Sequence, residues 1–399
     1  MREPKNSIGN MRDREGEPPP LSLYIHIPWC VKKCPYCDFN SHALCADIDA
    51  QGNETAYVEA LLKDLSTETA LSGSREIESL FIGGGTPSLF SAAAVTRLLD
   101  GVRTLTELKP RAEITLEADP GAADAAFFAG YQQAGVNRLS IGVQSFNDAH
   151  LRNIGRIHSA QQALDAFKLA TEAGFPSINL DLMYGLPGQS LTQAMDDLKQ
   201  AIALKPQHLS WYQLTIEPNT LFSSQPPGNL PSHEKLAEIS EAGIALLQEH
   251  GFKQYEVSAF ATEGHQCRHN LNYWRFGDYI GIGAGAHGKL TSQHGHIRRR
   301  RKQRSPEAYI ESIHSGDALS SENRLQDEDM VLEFMMNVLR LNEGVPAELF
   351  AQRTGLSLQA IQLRLLHARR AGLLEQEPMI LKATEMGRTY LNNLLMMFS

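Results

Sequence analysis

The chain has 399 residues and a formal net charge of −9 at pH 7, so it is too long for one ordinary domain and too acidic for a general nucleic-acid binder. Its five cysteines are too few and too unevenly spaced for a disulfide framework, so a reducing cytoplasm is the expected location. No apolar run reaches the length of a membrane span, and residues 1–20 lack the apolar centre of a signal peptide, which indicates a flexible extension.

Short β-prone runs alternate with helix-like segments from Leu21 onward. Strands are predicted at 21–27, 79–82, 113–117, 138–143, 177–183 and 207–214. Helices are predicted at 53–69, 122–134, 160–173 and 192–204. Strands that alternate with helices favour a parallel sheet with right-handed crossovers, and six units instead of eight predict an α/β fold in the form of a partial (β/α)6 barrel.

The pattern changes after this barrel. A helix is predicted at 233–250 and a strand at 255–258, followed by a loop that carries Cys267 and residues 269–274, and then by a glycine-rich run at 281–288. From about Asp327 the apolar spacing is helical, in 330–341 and again in 356–373, and the segment 374–382 suits a wing. We therefore expect an extension at 1–20, the barrel at 21–230, a barrel extension at 231–320, and a mainly helical, winged-helix-like domain at 321–399.

Three cysteines, Cys30, Cys34 and Cys37, lie within eight residues on the loop after the first predicted strand. Thiolates select iron–sulfur clusters, zinc or copper(I), but a structural zinc site needs four protein ligands, and the nearest spare thiol, Cys45, is eight residues further on. Three thiolates on a four-iron cluster leave one iron open to another molecule. Cysteines that merely pack as small apolar groups are disfavoured, because the surrounding loop is polar.

This spacing, with the aromatic Tyr36 before the last cysteine, resembles the signature of the radical S-adenosylmethionine (SAM) superfamily. The resemblance implies a 4Fe-4S cluster whose open iron is chelated by SAM. The run 83–87, Gly-Gly-Gly-Thr-Pro, is similar to the stretch that contacts SAM in coproporphyrinogen-oxidase-like members, which implicates Gly84, Gly85 and Thr86. The other positions that the resemblance or their placement at strand ends assigns to the SAM pocket are Tyr24, Tyr36, Glu117, Gln144, Arg156, Asp181, Gln213 and His287.

Two features separate the chain from oxygen-independent coproporphyrinogen III oxidase. Phe39 stands where that family has a further cysteine, and residues 269–274, His-Asn-Leu-Asn-Tyr-Trp, match the HNxxYW motif of HemW-type haem chaperones. The resemblance covers the chain from Leu21 onward. It implies a haem site with His269 as the candidate iron ligand, Tyr273 and Trp274 as walls, and Asn270 beside them. Without the resemblance, the same segment is as consistent with a loop that buries a tryptophan and caps a helix as with a haem site.

Other assignments stay open at this point. Cys267 either contacts haem or is a spare buried thiol. The basic run 298–304 is either a solvated loop or a partner for haem propionates or an acidic protein. The C-terminal domain lacks a basic recognition helix, which favours an interaction or lid role over DNA binding.

The resemblance implies a haem chaperone that binds haem, one 4Fe-4S cluster and SAM, and that transfers haem to an acceptor haemoprotein. The expected partners are haem and acceptor haemoproteins, without nucleic acid; peripheral contact with membrane haemoproteins and homodimer formation are left open. Two alternatives remain, a coproporphyrinogen III oxidase and an iron–sulfur redox regulator. Whether the chain is an enzyme is undecided by its sequence.

Overall fold

A computed structural model describes residues 17–44, 50–122, 125–316 and 318–399. The predicted extension at 1–20 lies outside these ranges except for its last four residues, and Cys45 also lies outside them. Among the described residues no helix is both long and apolar enough to cross a membrane.

Most strands belong to one sheet. In chain order the strands are β1 Leu21–Ile27, β2 Trp29–Cys30, β3 His42–Ala43, β4 Ile77–Gly84, β5 Leu108–Ala118, β6 Arg138–Gln144, β7 Ser177–Tyr184, β8 His208–Gln213, β9 Lys253–Glu256, β10 Ala259–Ala261, β11 Asp278–Ile282, β12 His287–Thr291, β13 Ile297–Lys302, β14 Leu319–Arg324, β15 Val345–Pro346 and β16 Ile380–Leu381.

Across the described residues, twelve strands form the main sheet in the order β14-β13-β12-β11-β1-β4-β5-β6-β7-β8-β10-β9. The stretch from β11 to β8 is parallel, and antiparallel strands extend it at both edges. Helices follow the six predicted parallel strands, β1 and β4 to β8, which confirms the predicted partial barrel. The carboxyl ends of these strands therefore gather at one mouth, where α/β barrels place their sites.

The four predicted barrel helices begin and end within three residues of their expected positions, whereas the helix Ala92–Leu105 was not predicted. In chain order the helices are α1 Ala50–Ser72, α2 Ala92–Leu105, α3 Ala125–Ala134, α4 Asp148–Asn153, α5 Ala160–Glu172, α6 Leu191–Leu204, α7 Leu221–Ser224, α8 His233–Glu249, α9 Arg268–Trp274, α10 Pro306–Ser315, α11 Asp327–Val338, α12 Glu348–Thr354, α13 Gln362–Arg370, α14 Glu385–Thr389 and α15 Leu391–Met396. Ser159 and Ser190 start α5 and α6 with reciprocal capping boxes, which satisfy backbone donors that a helix leaves unpaired.

Two large hydrophobic cores support the fold. One fills the space between the barrel sheet and its helices, where β1, β4 and β6 are buried on both faces. The other holds the C-terminal part together, from α11 to α15, and includes Phe276 and Ile297 from the barrel extension. The predicted wing at 374–382 folds back on itself: Glu375 donates a backbone hydrogen bond to Lys382, and β16 pairs with β15.

The folded chain differs from what the sequence indicates at four places. Residues 269–274 form the helix α9 instead of a loop, and the glycine-rich run at 281–288 contains the end of β11 and the start of β12. Residues 298–302 of the basic run lie in the strand β13 instead of a solvated loop, because Arg300 and Lys302 form ion pairs with buried carboxylates. The predicted helix at 356–373 is divided into a 3-10 turn, Leu358–Ile361, and α13.

Candidate functional site

Backbone hydrogen bonds fasten the cysteine loop to the barrel. The parallel pair of β2 and β3 closes its base, with Trp29 opposite His42. Asn40 at its far end donates to the carbonyl oxygens of Ala284 and Arg304, 2.9 and 2.8 Å away, beyond β11 and β13. The loop is thus held from both sides of the sheet, so the cysteines have a defined position over the strand ends.

The three cysteine side chains are partly exposed and carry free thiols. Burial raises the pKa of Cys30 and of Cys37, and the neighbouring cysteines raise the pKa of both thiols further. Polar groups face the sulfur atoms: Arg156 Nη1 lies 3.6 Å from Cys34 Sγ, and Ser41 Oγ lies 3.9 Å from Cys37 Sγ. These groups favour thiolates that carry a shared negative charge.

The cysteine loop fits a polynuclear cluster better than a single ion. Within the described residues, no three side chains of His, Cys, Asp or Glu converge closely enough to hold one metal ion. A four-iron cluster does not require its three protein ligands to converge on one point, because each thiolate binds a different iron and the sulfur atoms stay apart. The donor set, three thiols with a guanidinium beside them, suits an anionic iron–sulfur group.

A glycine turn packs directly under the cysteine loop. The backbone N–H of Gly85 donates to Ile27 O and that of Thr86 donates to Trp29 O, and each donor–acceptor distance is 2.7 Å. A Cβ atom at Gly85 would lie 2.5 Å from Trp29 O, so the approach of the two loops requires glycine there. Gly84 has a φ of +118°, and a Cβ there would lie 2.4 Å from the His26 ring.

The cysteine loop and the glycine turn border a cavity of about 610 Å³, which we call the cluster cavity. Of the positions assigned to SAM, eight line it: Tyr36, Gly84, Gly85, Thr86, Glu117, Gln144, Arg156 and Asp181. Tyr24 and His287 lie instead on a neighbouring cavity. Gln213 lines neither cavity and its side chain is exposed.

Carboxylates mark the strand ends inside the barrel. Glu117 accepts a hydrogen bond from Gly84 N over 2.9 Å, and burial, reinforced by Asp181, raises its pKa to about 7. Asp181 accepts from Ser140 Oγ and Asn179 Nδ2 over 2.9 and 2.8 Å, and burial raises its pKa as well. Neither carboxyl group forms an ion pair with a described residue, and both line the cavity, so they are suited to a ligand that carries ammonium or hydroxyl groups.

Arg156 and Gln144 are held in fixed orientations. Arg156 pairs with Asp119, donates to Gly142 O over 2.9 Å, and keeps a buried Nε without a hydrogen bond among the described residues. Gln144 ends β6 with a φ of +65° and accepts from Tyr212 Oη over 2.8 Å. These side chains are preorganised, as binding a polar ligand requires.

A second cavity, of about 780 Å³, adjoins the first inside the barrel. We call it the histidine cavity, because it is lined by His26, His208, His269 and His287. Helix α9 closes one side of it with Asn270, Tyr273 and Trp274. Seven residues line both cavities and form a common wall: Phe39, Gly84, Glu117, Ser140, Asp181, Ser210 and Asn270.

His269 is fully enclosed and its ring is fully engaged. Nδ1 lies 3.1 Å from Ser79 Oγ and Nε2 lies 2.9 Å from Tyr273 Oη. Burial lowers its pKa to about 3, so the imidazole is neutral. Cys267 lies close by, 3.5 Å from Glu113 Oε1, and burial raises its pKa to about 12, so it is a neutral thiol.

Several residues of these cavities were not singled out in the sequence. Asp119 lies two residues past Glu117 in the same strand-end motif, which was the available signal. Tyr212 precedes Gln213, and strand alternation turns the tyrosine toward the site and the glutamine away. Arg340 reaches the cluster cavity from the C-terminal part, pairs with Glu256 over 3.0 Å and lies 4.3 Å over the Trp274 ring. No local sequence signal predicts such a contact.

The partial barrel and its cysteine loop define a protein of the radical SAM class. Residues 24–201 match the model of the Radical SAM superfamily, and residues 325–390 match that of the HemN C-terminal domain. The solved structure of coproporphyrinogen III oxidase (HemN) from Escherichia coli, described as a radical SAM enzyme, matches with a TM-score of 0.80 and 25% identity, over 96% of this chain and 90% of that one.

Relatives in sequence narrow the class. The heme chaperone HemW of Escherichia coli is 53% identical over 95% of this chain and 98% of its own. The heme chaperone HemW of Haemophilus influenzae is 49% identical over 95% of this chain and 98% of its own. The chain belongs to the HemW family.

Proposed function

We propose that this protein is a haem chaperone of the cytoplasm that carries haem as cargo, holds a 4Fe-4S cluster with SAM, and transfers haem to an acceptor haemoprotein. The observation that carries the proposal is the pair of adjoining cavities. One presents three thiols and the other presents histidines and aromatic rings, and a common wall joins them. Membership of the HemW family supports the same function.

In this proposal Cys30, Cys34 and Cys37 hold the cluster, which together with SAM supplies one-electron chemistry. The residues that line the cluster cavity bind SAM. Gly84, Gly85 and Thr86 form the small-residue wall that lets the ligand approach the main chain closely, while Glu117 and Asp181 receive its ammonium and hydroxyl groups. Arg156 stands beside a cysteine and orients an anionic group, because its guanidinium is already fixed by Asp119.

The cargo occupies the histidine cavity. Its walls include Tyr24, Phe81, Tyr273 and Trp274, aromatic rings that suit the faces of a macrocycle. Helix α9 supplies two of these rings together with His269 and Asn270, which is the segment that the HNxxYW resemblance assigns to haem. Acceptor haemoproteins are the partners that such a cargo requires.

A specific observation favours a second candidate, a radical SAM oxidase of coproporphyrinogen III, namely the fold shared with HemN over 96% of this chain. Phe39 argues against it, since this residue stands at the position of the additional cysteine and leaves its side chain 59% exposed at the common wall. We therefore rank haem delivery first.

An anaerobic haem-transfer assay tests the proposed chaperone function. Protein reconstituted with iron and sulfide is loaded with hemin, mixed with an apo-haemoprotein, and separated after incubation. We expect a Soret band on loading and its movement to the acceptor, whereas coproporphyrinogen III with SAM and reductant yields no protoporphyrinogen. Failure to bind hemin contradicts the chaperone function, and decarboxylated product supports the oxidase instead.

A further inference from the structure

Four histidines line the histidine cavity, and three of them have both ring nitrogens occupied. His26 contacts Tyr24 Oη and Asn40 O at 2.9 and 2.8 Å. His208 contacts Asn179 Oδ1 and Tyr255 Oη at 2.6 and 2.8 Å. His269 contacts two hydroxyl groups, as described above. For each of these rings, coordination of iron would require loss of one of these hydrogen bonds, which would leave a polar partner unsatisfied.

His287 differs from the other three. Its side chain is exposed toward the cavity, and it makes no hydrogen bond with any described residue. It follows Gly285 and Ala286, small residues that also line the cavity.

The basic run beside His287 divides into two groups. Arg298, Arg299, Arg300 and Lys302 each form an ion pair with a carboxylate of this chain. Arg301 and Arg304, which line the histidine cavity, form no ion pair with any described residue. The Nε atom of Arg301 is buried without a hydrogen bond. Unpaired guanidinium groups at a cavity wall are suited to carboxylates of a ligand.

Arg301 and His287 are direct neighbours across the antiparallel pair of β12 and β13. A nitrogen donor and two unpaired cations therefore lie together at one side of the cavity, while α9 and its aromatic rings form another. Haem has this combination of features, an iron at its centre and two propionates at one edge.

We propose that His287 is the nitrogen ligand of the haem iron and that Arg301 and Arg304 bind the propionates. This assignment rests on the proposed function and deepens it. His269 then has a positioning role: it joins Ser79 on β4 to Tyr273 on α9 and so holds the aromatic wall in place.

Resonance Raman spectroscopy of reduced, hemin-loaded protein tests the iron ligand. We expect the iron–imidazole stretching band in the wild type and in His269→Ala, its loss in His287→Ala, and its return when free imidazole is added to His287→Ala. Absorbance of the iron–sulfur cluster verifies that each variant is folded. Persistence of the band in His287→Ala overturns the assignment, whereas a wild type without any Soret band contradicts the proposed haem cargo itself.

Hemin and hemin dimethyl ester together test the arginines, because the ester lacks the two negative charges. We expect Arg301→Gln to weaken hemin binding roughly tenfold or more and to leave the ester almost unchanged. Arg298→Gln is the matched control, because Arg298 lies on the same strand as Arg301 but is paired with Glu322 of β14, and it should change neither affinity. An unchanged preference for hemin in Arg301→Gln and in Arg304→Gln overturns the propionate assignment.

Discussion

The surroundings of Glu117 allow a prediction of how the free energy of unfolding changes with pH. Its carboxyl group is buried beside Asp181, and its pKa rises from 4.5 to about 7 on folding. A raised pKa favours the protonated form in the folded state, so this contribution to stability is present below pH 4.5 and is lost as the pH rises through 7. Between pH 5 and pH 8 the loss is about 2.5 kcal/mol.

Glu117→Gln removes this titration and keeps an oxygen that accepts from Gly84 N. We expect the free energy of unfolding of the variant to exceed that of the wild type at pH 8, and the difference to shrink by about 2.5 kcal/mol at pH 5. Urea unfolding of cluster-free protein, followed by tryptophan fluorescence at each pH, measures the difference. A difference for Glu117→Gln that is constant with pH would refute the reasoning.

Three other changes have expected outcomes. Cys34→Ser should abolish bound iron and sulfide, measured chemically, whereas Cys267→Ser should retain both; equal loss in the two variants contradicts the cluster assignment. Gly85→Ala forces a methyl group against a carbonyl oxygen 2.5 Å away and should destabilise the barrel by about 1–3 kcal/mol in thermal unfolding, while Gly228→Ala, in open space, should be neutral. Arg340→Met leaves the buried Glu256 without its ion-pair partner and should lower the free energy of unfolding by about 2 kcal/mol. Because Arg340 also lies over the Trp274 ring, tryptophan fluorescence should change as well. Unaltered stability would show that this contact does not join the barrel to the C-terminal part.

The barrel could be predicted because its signal is local. Apolar strands that alternate with capped helices define six of the parallel strands, and the cysteine spacing marks the loop above them. The seventh parallel strand, β11, was missed because Gly281 and Gly283 indicate a turn by composition. Packing requires glycine there: a Cβ at Gly281 would lie 1.9 Å from His287 O, and one at Gly283 would lie 2.3 Å from His26 O.

Long-range partners account for most of the remaining differences. The composition of the basic run indicates a solvated segment, but Lys302 forms ion pairs with Asp64 and Glu68, which lie more than two hundred residues earlier in the chain. One of the two hydrogen bonds that occupy the His269 ring also comes from a distant position, Ser79, whereas the other comes from Tyr273 on the same helix. Sequence spacing predicts which face a residue occupies, and only the folded arrangement shows which donors are already used.

The common wall between the two cavities has a thermodynamic consequence. Glu117 contributes to both compartments, so a positively charged molecule that arrives on one side favours the ionised carboxylate seen from the other. Linkage is reciprocal: if nucleotide occupancy alters the affinity for the porphyrin by some factor, the porphyrin alters nucleotide affinity by the same factor. In the proposed function, Glu117 is therefore the residue through which occupancy of one cavity would alter affinity in the other.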